Sequence, residues 1–188
     1  MKILIAADIF GDTPELRASA SVICTNFSVV SPYKDNPPQF KNENQAYAAF
    51  QACGGVEAYA DKLVQQICSY QPDALIGFSV GSTASWLALS EEICCTVKLG
   101  ILFYGSRIRD YLHLRPQCEI RLIFAEHEQS FDPKQLASNL RATGMTVKIC
   151  ADSQHGFMNR LSTGYDLSAE KMGTELTKFA LSELGVLN

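Results

Sequence analysis

The chain has 188 residues, 47% hydrophobic and 19% charged, with a formal net charge of −4 from 16 basic and 20 acidic side chains. That length favours one domain over residues 1–188, and the composition excludes disorder, a collagen-like chain and a coiled coil. No Lys/Arg run offers a footprint for a phosphate backbone, so no nucleic-acid partner is expected.

The chain opens on Lys2–Asp8, a short apolar run closed by an acid. It is too short for a signal-peptide core or a membrane span, which points to a cytoplasmic protein with no membrane partner. Thr13–Cys24 reads as a helix with Pro14 in its first turn. Phe27–Ser31 is a second strand, and Pro32–Asn44, rich in Pro, Asn and Lys, a surface loop bordering a pocket. Asn44–Tyr70 is amphipathic and helical, broken at Gly54-Gly55, with its second half running Val56–Ser69 ahead of Pro72. Ala74–Phe78 is a strand and Val80–Glu92 a helix. Lys98–Tyr104, Ile120–Ala125 and Thr146–Ala151 are further strands. Between the last two, Asp132 caps a helix that has Pro133 in its first position and ends near Gly144. Leu167–Leu184 is the closing helix.

Most of these strands are near-continuous Val, Ile, Leu and Phe, the pattern of strands covered on both faces. The alternation of strands and helices predicts a three-layer α/β fold, with a six-stranded, mostly parallel sheet and helices on both faces. The seven cysteines are odd in number and form no C-x-x-C. They argue against a disulfide framework and a zinc site, and read as small hydrophobes in a reducing compartment. Neither a metal nor a cofactor is expected.

The strongest motif is Gly77-Phe78-Ser79-Val80-Gly81. G-x-S-x-G between a strand and a helix places a serine on a sharp turn, and the helix N-terminus beyond it supplies N–H groups for a developing oxyanion. A serine hydroxyl needs a base, and the candidates are His113, His127 and His155. His155 follows the sixth strand, on the sheet edge that also carries Ser79, and is the expected base. His127 stands among acids and reads as exposed, and His113 falls at the wrong sheet edge. A carboxylate must orient the imidazole. Asp132 is better explained as a helix cap and Asp152 lies too near His155, while spacing leaves Glu126 and Glu128 both open.

Four segments resemble the α/β-hydrolase superfamily and, within it, the dienelactone hydrolase family. Asp8-Ile9-Phe10-Gly11 resembles the family's E-I-F-G, and Gly77–Gly81 matches its elbow. Ala125-Glu126-His127-Glu128 resembles its G-x-x-D loop, and His155-Gly156-Phe157 its histidine segment. The resemblance implies Ser79 as nucleophile, Glu128 as acid and His155 as base, with the N–H groups of Val80 and Ile9 as oxyanion hole. Asp8 would stand where the family has a glutamate near the nucleophile. The chain departs from the family in having Ser for Cys, Glu for Asp, and Asn159 followed by Arg160 at the family's substrate-binding arginine. It would begin at the family's third strand, without the N-terminal antiparallel strands, and no long insertion builds a lid. Asp8, Phe10, Tyr104, Phe157 and Arg160 are candidate pocket residues, with Tyr33 and Phe40 as further apolar wall.

The expected function is hydrolysis of a small soluble ester through a Ser-His-Glu triad and an acyl-enzyme. The alternatives are a thioesterase, peptidase-like hydrolase or acyltransferase on the same triad, or a hydrolase fold that binds without turnover. The oligomeric state leaves no signature in the sequence.

Overall fold

The structure is a computed structural model and describes residues 1–34 and 39–185, so part of the expected loop at Pro32–Asn44 lies outside the described residues. Six strands, β1 (Ile3–Ala6), β2 (Phe27–Val30), β3 (Ala74–Phe78), β4 (Leu99–Phe103), β5 (Glu119–His127) and β6 (Thr146–Gln154), form one sheet in the order β2-β1-β3-β4-β5-β6. All five pairings are parallel. Six helices connect or follow them: α1 (Pro14–Ile23), α2 (Glu43–Ala52), α3 (Gly55–Tyr70), α4 (Val80–Leu89), α5 (Pro133–Ala142) and α6 (Leu167–Glu183). None of the described helices is long and apolar enough to cross a membrane.

The side-chain alternation of each strand feeds two cores. Leu4, Ala6, Leu75, Leu102, Leu122 and Phe124 point to the face covered by α3, α4 and α5. Ile3, Ile5, Ile76, Phe78, Ile101 and Phe103 point to the face covered by α1 and α6. β1, β3 and β4 are buried along their whole length, which is why they read as unbroken apolar runs.

Helix ends follow local chemistry. Thr13 and Asp132 accept backbone N–H groups as N-caps ahead of Pro14 and Pro133. The break expected at Gly54-Gly55 separates α2 from α3, with both glycines at positive φ. α4 stops at Leu89, short of the expected Glu92, and a separate 3-10 turn follows at Glu92–Cys94. The seven cysteines are all free, but Cys53 and Cys95 are exposed rather than packed as hydrophobes.

The strand order reverses between β1 and β3. Ligands of open α/β sheets bind beyond the carboxyl ends of the strands at such a switch point. Here those ends carry Asp8-Ile9 and Ser79.

Candidate active site

Ser79 occupies the turn from β3 into α4 with φ 52 and ψ −114. A non-glycine residue in that region costs on the order of 1–3 kcal/mol, which the surroundings must hold in place. The Ser79 N–H donates to the Phe103 carbonyl at 3.0 Å, and its own carbonyl accepts from Thr83 N at 3.2 Å. Gly81 lets α4 approach β1, because a Cβ there would lie 2.4 Å from the carbonyl oxygens of both Ala6 and Ala7.

His155 follows the end of β6, and its Nε2 lies 2.8 Å from Ser79 Oγ. On its other edge, Nδ1 lies 2.9 Å from Glu128 Oε1 and 3.0 Å from Oε2. The Glu128 side chain is 3% exposed and that of His155 38%. A carboxylate at Nδ1 holds the proton on that nitrogen and leaves Nε2 as an acceptor facing the serine hydroxyl.

Glu126 is engaged elsewhere. Its carboxylate accepts from Asp152 N at 3.0 Å and pairs with Lys134 at 3.2 Å, and these contacts hold its carboxyl below the usual range. The cause is a bulge between β5 and β6: Ala125 pairs with Cys150 but His127 with Gln154, so β6 carries two extra residues there. Asp152 sits in this bulge at φ 56. Glu126, His127 and Asp152 bring one ligand atom each within 4.8 Å at the bulge, with the Lys134 ammonium already against Glu126. His113 and His127 are both exposed.

The turn after β1 is pinned from several sides. Asp8 accepts from Gly11 N through its carbonyl at 3.0 Å and from Phe10 N through its carboxylate at 2.9 Å. Tyr33 donates its hydroxyl to the Ile9 carbonyl at 2.6 Å, and Tyr59 bonds the carbonyls of Ala7 and Val30. Among the described residues, neither Ile9 N–H nor Val80 N–H has an acceptor. These tyrosine roles escape sequence reading, which saw in Tyr33 an apolar wall or a core residue. Their partners lie 24 and 52 residues away.

The pocket residues expected from sequence divide. Phe10 lines an open cleft of about 830 Å³ with Phe40, Lys41 and Leu161, within the size range of small-molecule sites. Tyr104 lines, with Asp8 and Arg160, a separate small hollow of about 20 Å³; Phe157 and Tyr104 are both fully buried. They pack at 5.1 Å, and Tyr104 meets the edge of the His155 ring at 5.1 Å, so the pair is a shelf for the imidazole. Arg160, on the rim of that hollow, has a partner of its own. Its guanidinium pairs at 3.3 Å with Glu170, a nearly buried carboxylate that also accepts from Ser19 and Tyr165.

Asp8 is buried and accepts from the Asn159 amide. Desolvation raises its pKa, outweighing the hydrogen bonds from Asn159 and Phe10. A carboxyl whose folded pKa exceeds its unfolded one stabilises most at low pH, and that contribution fades as pH rises through the folded value. The melting temperature of the wild type, relative to Asp8→Asn, therefore falls as pH rises from the ordinary carboxyl range through the raised folded value. Parallel thermal melts check this, and a difference that stays flat or rises with pH contradicts it.

A family model described as the dienelactone hydrolase family matches residues 3–184. The chain belongs to that family. A relative from Bacillus subtilis strain 168, the uncharacterized protein YczH, is 30% identical over 166 residues, covering 84% of this chain and 80% of that one. Among solved structures, the dienelactone hydrolase-like promiscuous phosphotriesterase P91 from metagenomic libraries superposes with a TM-score of 0.68 at 16% identity. The match covers 97% of this chain and 86% of P91. Esterase 2 of Thermogutta terrifontis gives 0.59 at 14% identity, covering 100% and 84%. The dienelactone hydrolase family member described here is thus an enzyme of the carboxylic ester hydrolase kind on an α/β-hydrolase fold.

Proposed function

We propose that the protein hydrolyses a small soluble carboxylic ester, with Ser79 as nucleophile, His155 as general base and acid, and Glu128 as the group that orients the imidazole. The observation that carries this reading is the continuous line from Glu128 through Nδ1 and Nε2 of His155 to Ser79 Oγ, with every step at 2.8–3.0 Å.

In the proposed reaction, Ser79 Oγ attacks the acyl carbonyl while its proton passes to Nε2. The unpaired N–H groups of Ile9 and Val80 bind the oxyanion, aided by the positive end of α4. The intermediate collapses as His155 gives the proton to the departing alkoxide, which leaves as the alcohol. Water then attacks the acyl-enzyme with His155 as base, releasing the acid and regenerating Ser79. The buried Glu128 carboxylate stabilises the imidazolium formed at each stage.

A fluorophosphonate tests the nucleophile directly. Thermogutta terrifontis esterase 2 is described in a form phosphorylated by paraoxon, so organophosphorus reagents suit this fold. The expected result is one covalent adduct on the Ser79 peptide, absent in Ser79→Ala, with parallel loss of p-nitrophenyl acetate hydrolysis. Native protein that stays unlabelled while a control esterase reacts would sink the proposal.

A further inference from the structure

We infer that Glu43, at the start of α2 and more than a hundred residues from the histidine in sequence, is a positioning residue for His155. The inference rests on the ester-hydrolase reading above and extends it to a residue that no motif marks.

The half-buried Glu43 carboxylate reaches across to the segment after His155. Its Oε1 accepts from Ser162 Oγ at 2.8 Å, from Thr163 N at 3.0 Å and from Thr163 Oγ1 at 3.3 Å. One acceptor thus gathers two side-chain hydroxyls and one backbone amide, and hydrogen bonds to a charged acceptor are stronger than neutral ones. Asn42, the residue before it, caps α2 by accepting from Gln45 N at 3.0 Å, which fixes the start of the helix that presents the carboxylate.

Displacement at residues 162–164 is passed to His155 because nothing lies between them. Gly164 packs so closely on the His155 carbonyl that a Cβ there would sit 2.0 Å from the oxygen. Ser162 Oγ likewise presses on Gly156, where a Cβ would be 2.2 Å away, and it accepts from Gly164 N at 3.2 Å. The loop is closed further by bonds from Asn159 N to the Gly156 carbonyl and from Asp166 N to the Phe157 carbonyl. His155 is therefore gripped on three sides: Glu128 at Nδ1, the Tyr104 ring at its edge, and the loop that Glu43 holds.

The same contact shapes the surroundings of the site. Asn42 and Leu161 line the cleft beside Phe10, whereas Glu43 and Thr163 line another hollow together with His155 and Glu128. The bridge between Glu43 and Thr163 thus joins near chain neighbours of two residues that line the cleft. A bridge that only shapes the cleft would act on substrate binding; one that aims the imidazole acts on the chemical step.

The two roles separate in kinetics on the full-length protein with p-nitrophenyl acetate and in the rate of fluorophosphonate labelling. Loss of the acceptor in Glu43→Ala is expected to lower kcat about tenfold or more, since misplacing a catalytic group by a fraction of an ångström is enough for that, while KM changes little. Labelling of Ser79 slows in proportion. Glu43→Gln keeps an acceptor oxygen for Ser162 and Thr163 and is expected to restore most of the rate. Ser162→Ala, which removes the shortest of the three bonds, gives an intermediate loss and serves if Glu43→Ala does not fold. Wild-type kcat and labelling in Glu43→Ala or Ser162→Ala overturn the inference. So does a rise in KM with kcat kept, or a Gln variant as impaired as the Ala variant. A wild type inert to both reagents overturns the hydrolase reading itself, and this inference with it.

Discussion

Glu128→Gln is expected to cut kcat for ester hydrolysis by about 10⁴-fold, the scale seen when a triad carboxylate becomes an amide. Both carboxylate oxygens lie within 3.0 Å of Nδ1. A glutamine there presents either an oxygen or an N–H to that nitrogen. The N–H orientation forces the imidazole proton onto Nε2, where it can no longer accept from Ser79. Neither orientation supplies the negative charge that stabilises the imidazolium. Glu126→Gln is the control: its carboxylate is occupied by Asp152 N and Lys134. It should stay within about twofold of wild type, as surface changes away from such features do. Steady-state kinetics on the two variants side by side decide the point. Equal losses, or none at Glu128, would remove the acid from the proposed triad.

Gly81→Ala is expected to have the largest effect on folding. The added Cβ would meet two backbone carbonyl oxygens at 2.4 Å, and neither belongs to a flexible side chain. α4 would have to retreat from β1, at a cost of about 3 kcal/mol by analogy with overpacked cores. That is a large part of the stability of an ordinary domain. Gly144→Ala makes the comparison informative. Gly144, unlike Gly81, has a positive φ, at 86, and no atom lies within 4 Å of its added Cβ. Only the conformational penalty of about 1–2 kcal/mol applies there. Urea denaturation should rank Gly81→Ala well below Gly144→Ala. The reverse order would show that the approach of α4 to β1 has slack. A surviving Gly81→Ala protein should also react slowly with fluorophosphonate, because the displaced helix carries the Val80 amide.

The parts of the fold that were legible in the sequence are those whose cause is local or periodic. Buried strands such as Leu99–Phe103 declare themselves by their unbroken apolar character, and Thr13-Pro14 and Asp132-Pro133 mark helix starts. The ends of β5 and β6 were less legible. Both strands run on through polar residues past Ala125 and Ala151, because backbone pairing near the sheet edge does not need apolar side chains.

The site divides in the same way. Gly77–Gly81 is visible because strand, turn and helix are contiguous. Glu126 and Glu128 are indistinguishable by spacing, since both lie in the polar stretch that follows the apolar run of β5. The two extra residues on β6 break that symmetry, and the backbone amide of one of them, Asp152, engages Glu126. Arg160 and Phe157 lie outside the cleft beside Phe10, because Glu170 and the aromatic cluster around Phe103 claim them from distant parts of the chain. No local pattern announces such partners.

The bond between Ser79 and His155 joins groups 76 residues apart, carried by the third and sixth strands of the sheet. Non-local pairings of this kind form late, after the loop-closure entropy of the intervening strands has been met. A chain on which β6 has not yet docked already owns its elbow serine, but that serine has no base. On the proposed mechanism, chemical reactivity at Ser79 would report completed sheet assembly. During refolding, it should emerge with the last structural phase, after the helical signal has largely returned.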